Sequence, residues 1–421
     1  MNLGIPKETL EGERRVALTP VVVASLAAKD VEVLVESGAG VEAGHLDAAY
    51  EEAGAKVGSA DDAWGADVVA RVAVPTQAEI AKLKSGQVLI GHLAPLTSGE
   101  TTKALADAGV TALAMESVPR ITRAQAMDAL SSQANVAGYA AALLAAREAG
   151  RFFPMMTTAA GTVKPARVMV LGAGVAGLQA IATAKRLGAV VSGFDVRRAA
   201  WEQISSLGGR PLELDFLEDL EDENGYARPP TEEENEKIRE ALAEAAGKQD
   251  VIITTAQIPG RAAPVLLTAD AVANMATGSV VVDLAGESGG NCELTEAGET
   301  VSSDNGVKVI SPRNLASTMA THASQLYAKN IENLLGLLIS EEGALHVDMS
   351  DEVVAGATIT HEGKITNDRA RSVAGVEDAP AESEGSDADE PAQASGGTAP
   401  PISGEADAVS GDDDAASEET S

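Results

Sequence analysis

The stretch from Ala166 to Val196, ARVMVLGAGVAGLQAIATAKRLGAVVSGFDV, constrains the fold more than any other part of the chain. An apolar run reads as a buried strand, a Gly-rich turn follows, then a helix and a second apolar run. That order describes a strand–helix–strand unit with parallel strands, because a two-residue hairpin cannot return the chain in the same direction. The turn comprises Gly172, Ala173, Gly174, Val175, Ala176 and Gly177. Gly172 serves the tight turn, Gly174 lets backbone approach a pyrophosphate at the helix N-terminus, and Gly177 lets helix pack closely on strand. A lone pattern of this kind is weak, but between a strand and a helix it points specifically to a dinucleotide. Eighteen residues after Gly177, Asp195 ends the second strand, where a carboxylate can accept both hydroxyls of an adenosine ribose. That favours NAD over NADP, although Arg197 and Arg198 stand close enough to soften the repulsion of a 2′-phosphate. A surface pair at a helix start is the equally good bland reading of those arginines.

The rest of the chain fits around this unit. DVIITTA, GSVVVDLA and VKVIS continue it as buried parallel strands. Upstream, VEVLVES, ADVVARVAV, GQVLIGHL and VTALAME predict a first α/β layer, and the Ala-rich run Val136–Ala146 predicts a helix into the second lobe. Tyr327–Ile339 reads as a helix leading away, and DEVVAGATITHEGKIT has a strand-like alternation that returns to the first lobe. The expected fold is α/β, with two Rossmann-like lobes built on parallel sheets. The second lobe, residues 134–330, is a doubly wound dinucleotide-binding fold inserted into a discontinuous first lobe, residues 1–133 with 331–373. Residues 374–421 are Asp, Glu, Ser, Ala, Gly and Pro with few large apolar side chains, so an acidic, disordered tail is expected. EDLEDENGYARPPTEEENEK reads as a long polar loop inside the second lobe.

Charge and composition exclude several functions. A net charge of -33 with no cluster of Lys and Arg repels phosphate backbones, and aromatic residues at 2% offer little for base stacking. No nucleic acid is expected. Fourteen of the carboxylates follow Arg371, which still leaves -19 on the remainder, a surface suited to high salt. The single cysteine, Cys292, forms no internal disulfide, which suits a reducing compartment. The N-terminus carries no apolar stretch of signal length, and the longest apolar run is shorter than the roughly 20 residues that span a bilayer. A soluble chain is expected, with any membrane role falling to a partner.

Several further segments carry a resemblance. GIPKETLEGERRVALTP, MESVPRITRAQAMDALSSQANVAGY, FPMMTTAAGTVKPARVMVLGAGVAGLQAIATAKRLGA, TTAQIPGRAAPVL, VVDLAGESGGNCELTE and THASQLYAKNIENLL occur in this order over about residues 1 to 370. Together they resemble the NAD(H)-binding domain of proton-translocating nicotinamide nucleotide transhydrogenase. The resemblance implies that Arg120, Gln125, Asp128 and Ser131 hold the nicotinamide end, with Arg120, Gln125 and Asp128 closest to the hydride step. It implies a mobile loop at Gly225, Tyr226 and Ala227, and cofactor contacts at Val196, Arg197, Thr255 and Ala256. Gln125 can donate and accept, and Arg, Asp and Ser can orient a carboxamide and ribose. Without the resemblance, Asp128 and Ser131 are equally well read as helix caps. No residue is expected to act as a metal ligand, and Asp283, Glu287, His92 and His322 have structural readings at least as good as functional ones.

The implied cofactors are NAD(H) on this chain and NADP(H) on a partner subunit. The implied partners are a membrane-spanning subunit, the NADP(H)-binding subunit and a second copy in a homodimer. The implied place is cytoplasmic, peripheral on the inner face of the cell membrane. Alanine dehydrogenase resembles the chain in GERRVALTP and GAGVAG, and Arg15 and His92 would suit it. Its keto-acid lysine, however, falls at Ala73 and its nicotinamide-side Asp at Glu287. A third reading is an NAD-binding subunit without turnover.

Overall fold

Two sheets, both within one compact unit, carry the chain in a computed structural model that describes residues 1–214, 216–217, 230–258, 260–340 and 343–376. The first sheet runs Lys364–Ile365, Thr358–His361, Thr111–Ala114, Val88–Gly91, Val68–Ala70, Asn2–Ile5, Glu32–Glu36, Lys56–Gly58 from edge to edge. Its six N-terminal strands are parallel. Val68–Ala70, Val88–Gly91 and Thr111–Ala114 are buried at every position. They therefore show no alternation in sequence, as expected for strands covered on both faces. Two strands from the C-terminal part complete the sheet, and both pair antiparallel. The first lobe is thus discontinuous, with an antiparallel edge where a wholly parallel sheet was expected.

The second sheet runs Arg210–Pro211, Val190–Phe194, Arg167–Leu171, Val251–Thr254, Val280–Asp283, Lys308–Ile310, Thr300–Ser302. All are parallel except the last, which pairs antiparallel at the edge. Counted along the chain, its first five strands take the spatial order 3-2-1-4-5. The order reverses between Arg167–Leu171 and Val251–Thr254, which makes their C-terminal ends the switch point where doubly wound folds bind ligands. The core on both faces of this sheet is almost wholly aliphatic, with Ala, Val, Ile and Leu filling the layers.

Two long helices join the lobes. Ala129–Glu148 has 20 residues, so it spans about 30 Å. It packs on Val175–Arg186 so closely that a Cβ at Gly138 would overlap the carbonyl oxygen of Ala176. Ala320–Leu338 returns to the first lobe, burying Tyr327, Ile331, Leu334, Leu335 and Leu338 in the core there.

Two stretches differ from their reading in sequence. Asp351 accepts the N–H groups of Val353 and Val354 and so starts a helix, Glu352–Ala357, where strand was expected. Capping outweighs alternation there, because the cap satisfies donors that the alternating pattern leaves open. Thr231 and Glu234 form a capping box that opens a 15-residue helix, Glu232–Ala246, inside the expected polar loop. Ile238, Leu242 and Ala246 are its buried stripe, hidden in sequence by the acidic residues around them. Residues 218–229, with Gly225, Tyr226 and Ala227, lie outside the described residues, as does the expected tail from 377 onward.

Candidate functional site

The Gly-rich turn sits at the switch point. Gly172 has φ +90°, a left-handed conformation that a Cβ would strain, and such a Cβ would lie 2.9 Å from the Ala256 nitrogen. A Cβ at Gly177 would overlap the carbonyl oxygen of Gly172. Gly174 differs from both: a Cβ there would meet nothing within 4 Å, and Gly174 and Val175 are exposed at the N-terminus of Val175–Arg186. The first N–H groups of a helix have no internal partner, so this open end suits a pyrophosphate. Ala173 is buried and Ala176 half-buried between these contacts.

Asp195 follows the adjacent strand and is buried. Its Oδ2 accepts Ala173 N–H at 2.7 Å and an Arg197 Nη2–H at 3.0 Å, while its Oδ1 accepts Arg197 N–H and Nε–H, both at 2.9 Å. Trp201 donates its indole N–H to the Asp195 carbonyl at 2.9 Å, and Val196 is half-buried against the core. The carboxylate thus stands where a ribose would be held, already engaged by its neighbour.

Thr255 and Ala256 reach the turn from the fourth strand. The Thr255 hydroxyl donates to Gly172 O at 2.9 Å. Ala256 is held by Asn291, whose side chain accepts Ala256 N–H at 3.0 Å and donates to Ala256 O and Pro264 O, each at 2.8 Å. Asn291 is wholly buried, and its own N–H donates to Asp283 at 2.7 Å. Asp283 also accepts Ala285 N–H, Cys292 N–H and the Thr295 hydroxyl. Asp283 is therefore a structural clamp, and Asn291, which the sequence pattern does not mark, positions the loop. Its signal was only the Gly289–Gly290 pair before it, both at positive φ. Glu287 lies on a short 3-10 turn with no described role.

The segment Pro119–Ser131 is assembled differently. A 3-10 turn over Thr122–Met127 buries Ala124 and Met127 and leaves Arg123 and Gln125 exposed. Gln125 makes no side-chain hydrogen bond among the described residues, and Arg120 is exposed. Asp128 caps the long helix, accepting Ser131 N–H at 2.8 Å and the Ser131 hydroxyl at 2.6 Å. The capping reading of this pair is realised, and it uses two of about four acceptor positions on the carboxylate. Arg123 pairs with Asp351 at 2.7 Å, and Asn330 donates to Ala126 O at 2.8 Å while accepting the Ser132 hydroxyl at 2.7 Å. Gly138 touches Ala176, and Ser131 lies seven residues earlier on the helix, so this segment stands about 10 Å along the axis from the Gly-rich turn.

The residues that would suit a keto-acid enzyme are otherwise engaged. Arg15 donates to Glu13, Gln133 and Asn314 at 2.6–3.0 Å. His92 stacks on Tyr327, with ring centroids 5.1 Å apart, and lies 3.5 Å from Glu116. Burial pushes the Glu116 carboxyl up, but hydrogen bonding and charge from His92 and the backbone N–H groups outweigh it and hold it below its usual range. Ala73 is buried, and Arg71, two residues before it, is paired with Glu8 and Glu79, each at 2.9 Å. Among the described residues no group of His, Cys, Asp or Glu is placed to hold a metal, and no helix is long and apolar enough to cross a membrane.

Sheet order and the Gly-rich turn at the switch point define a two-lobed α/β protein of the dinucleotide-binding class. Family models described as "Alanine dehydrogenase/PNT, N-terminal domain" and "Alanine dehydrogenase/PNT, C-terminal domain" match residues 4–137 and 141–368. The chain belongs to the alanine dehydrogenase/PNT family. It is similar to an NAD(P) transhydrogenase subunit alpha polypeptide of Rhodospirillum rubrum, 48% identical over 377 residues that cover 87% of this chain and 98% of that one. The solved transhydrogenase of Sinorhizobium meliloti superposes with a TM-score of 0.80 at 46% identity, covering 87% of this chain and all of that one. Alanine dehydrogenase of Mycobacterium tuberculosis is 36% identical over 296 residues, 69% of this chain and 74% of that protein.

Proposed function

We propose that the chain binds NAD(H) between its lobes and passes hydride to NADP+ held on a partner subunit, coupled to proton translocation through a membrane-spanning partner. In this reading the lobes are residues 1–133 with 331–373 and 134–330. Gly172, Gly174, Gly177 and Asp195 hold the pyrophosphate and adenosine ribose, and Arg120, Gln125, Asp128 and Ser131 the nicotinamide end. The observation that carries it is Gln125, exposed between two buried anchors and with no side-chain hydrogen bond among the described residues. Transfer between two proteins requires the reacting carbon at an open face, and a surface amide there can touch both nucleotides. The protein's part is positioning, since the nicotinamide supplies the hydride chemistry.

An alanine dehydrogenase reading would need a cation for the keto acid, and Ala73 offers none. The cytoplasmic face of the cell membrane is the expected place, reached through partners. A homodimer would give the exposed Met155, Met156 and Val163, at and beside the hairpin Met156–Thr158 and Gly161–Val163, an apolar surface to cover.

The test compares NADH oxidation with pyruvate and ammonia against NADH with membrane partners and an NADP+ analogue. Turnover is expected only in the second mixture, and Gln125→Ala is expected to slow it at least ten-fold with NADH affinity within about two-fold. Oxidation in the first mixture would overturn the proposal.

A further inference from the structure

The carboxylate of Asp195 is already full. A carboxylate offers about four acceptor positions, and four donors reach this one: Ala173 N–H, Arg197 N–H, and the Nε–H and Nη2–H of the Arg197 guanidinium. The two backbone donors are set by the turn and the strand end, so a ligand cannot remove them without unfolding the site. The two guanidinium donors are of another kind. They sit on a side chain, they come as a parallel fork, and they equal in number the two hydroxyls that an adenosine ribose brings.

We infer that Arg197 is an internal stand-in for the adenosine ribose, displaced when NAD(H) binds, and that its displacement narrows the preference for NAD(H) over NADP(H). The inference rests on the NAD(H) reading of this site. The side chains of Asp195 and Arg197 are 8% and 22% exposed, so this ion pair is not one of the solvated surface pairs that are nearly neutral. Breaking it opposes the binding of NAD(H), which offers the carboxylate two neutral hydroxyls in return for a charged fork. A further guanidinium bond, from Nη2 to Ala173 O at 3.4 Å, tethers the side chain to the same turn. A displaced guanidinium that keeps this bond stays beside the ribose. A planar fork there matches a 2′-phosphate, which would otherwise face Asp195 alone.

The experiment titrates the full chain with NADH and, separately, with NADPH, following nucleotide fluorescence, for wild type, Arg197→Ala, Arg197→Lys and Asp195→Ala. Arg197→Ala is expected to tighten NADH about three- to ten-fold by removing the competitor, and to weaken NADPH by a similar factor. Arg197→Lys keeps the charge without the fork, so NADH is expected to tighten while NADPH changes little. Asp195→Ala is expected to weaken NADH. If wild type binds NADH and Asp195→Ala weakens it, but both arginine variants leave NADH unchanged or weaker, the stand-in role is overturned while the site reading survives. If Asp195→Ala leaves NADH affinity unchanged, the site reading falls and this inference with it. Thermal melting separates a lost ribose contact from a lost fold: Asp195→Ala is expected to weaken NADH at a Tm where the chain stays folded, while for the two arginine variants tightened NADH at reduced Tm still supports the stand-in and weakened NADH at unchanged Tm overturns it.

Discussion

The Gly-rich turn and the Pro119–Ser131 segment are held by different means. The turn is mostly local: strand, glycines, helix and Asp195 all lie within Ala166–Val196, and Gly177 sits against Gly172 five residues away, with Thr255 on the Gly172 carbonyl as its bond from a distant strand. The segment is held by residues about 200 positions away, with Asn330 and Asn333 on the Ala126 carbonyl and Asp351 on Arg123. In the proposed reading, a short stretch of chain therefore specifies most of the end that grips pyrophosphate, whereas the end that aims the nicotinamide depends on residues distant in the chain. Tight binding and correct aim are separable properties in such a site.

The comparison can be broken most severely at Gly177. Gly177→Val forces a side chain into the Gly172 carbonyl, and a loss on the order of 3 kcal/mol is expected, with NADH binding falling at least ten-fold. Denaturant unfolding and NADH fluorescence titration check it; unchanged binding would mean the turn does not grip the nucleotide. Asn330→Ala sharpens the other half. It removes one donor from Ala126 O and an acceptor from Ser132, at a cost of about 1–2 kcal/mol. Hydride transfer in the reconstituted complex is expected to drop several-fold while NADH affinity stays within about two-fold, and an equal fall in both would erase the distinction.

The smallest effect concerns Asp351. Hydrogen bonding from Arg123 is the largest influence on its carboxyl and, helped by the N–H groups of Val353 and Val354, outweighs the opposing push from desolvation and lowers it from the ordinary 3.8 to about 2. A depressed folded-state pKa contributes stability above the unfolded value and loses it as pH falls through the folded one. The contribution is therefore present above about pH 4 and fades between about 4 and 2. Melting curves across that window should be steeper in wild type than in Asp351→Asn, and parallel curves would show that the pair does not steady the segment.

How much of this was legible in sequence follows the same division. The strands of the second sheet, the turn and the helix after it announce themselves because apolar runs and glycines are adjacent in the chain. Asn291 does not, since its importance lies in meeting Ala256 and Pro264, 35 and 27 residues distant. The helix Glu232–Ala246 was masked by its own charges, and Glu352–Ala357 by an alternation that a cap overruled. Asp195 and Arg197 were both legible, but their pairing was not, because residues two apart can face apart or together once a strand ends, and only the backbone after the strand decides.

By itself, then, the sequence determined a parallel doubly wound lobe with a dinucleotide turn, because those constraints act over a few residues and are satisfied or violated locally. Tertiary structure alone decided that the chain's return finishes the first sheet antiparallel, that Asn330 and Asp351 hold the Pro119–Ser131 segment, and that the Asp195 carboxylate is already engaged by Arg197. Those outcomes depend on which distant groups become neighbours when the aliphatic layers pack, and burial decides that collectively over the whole core.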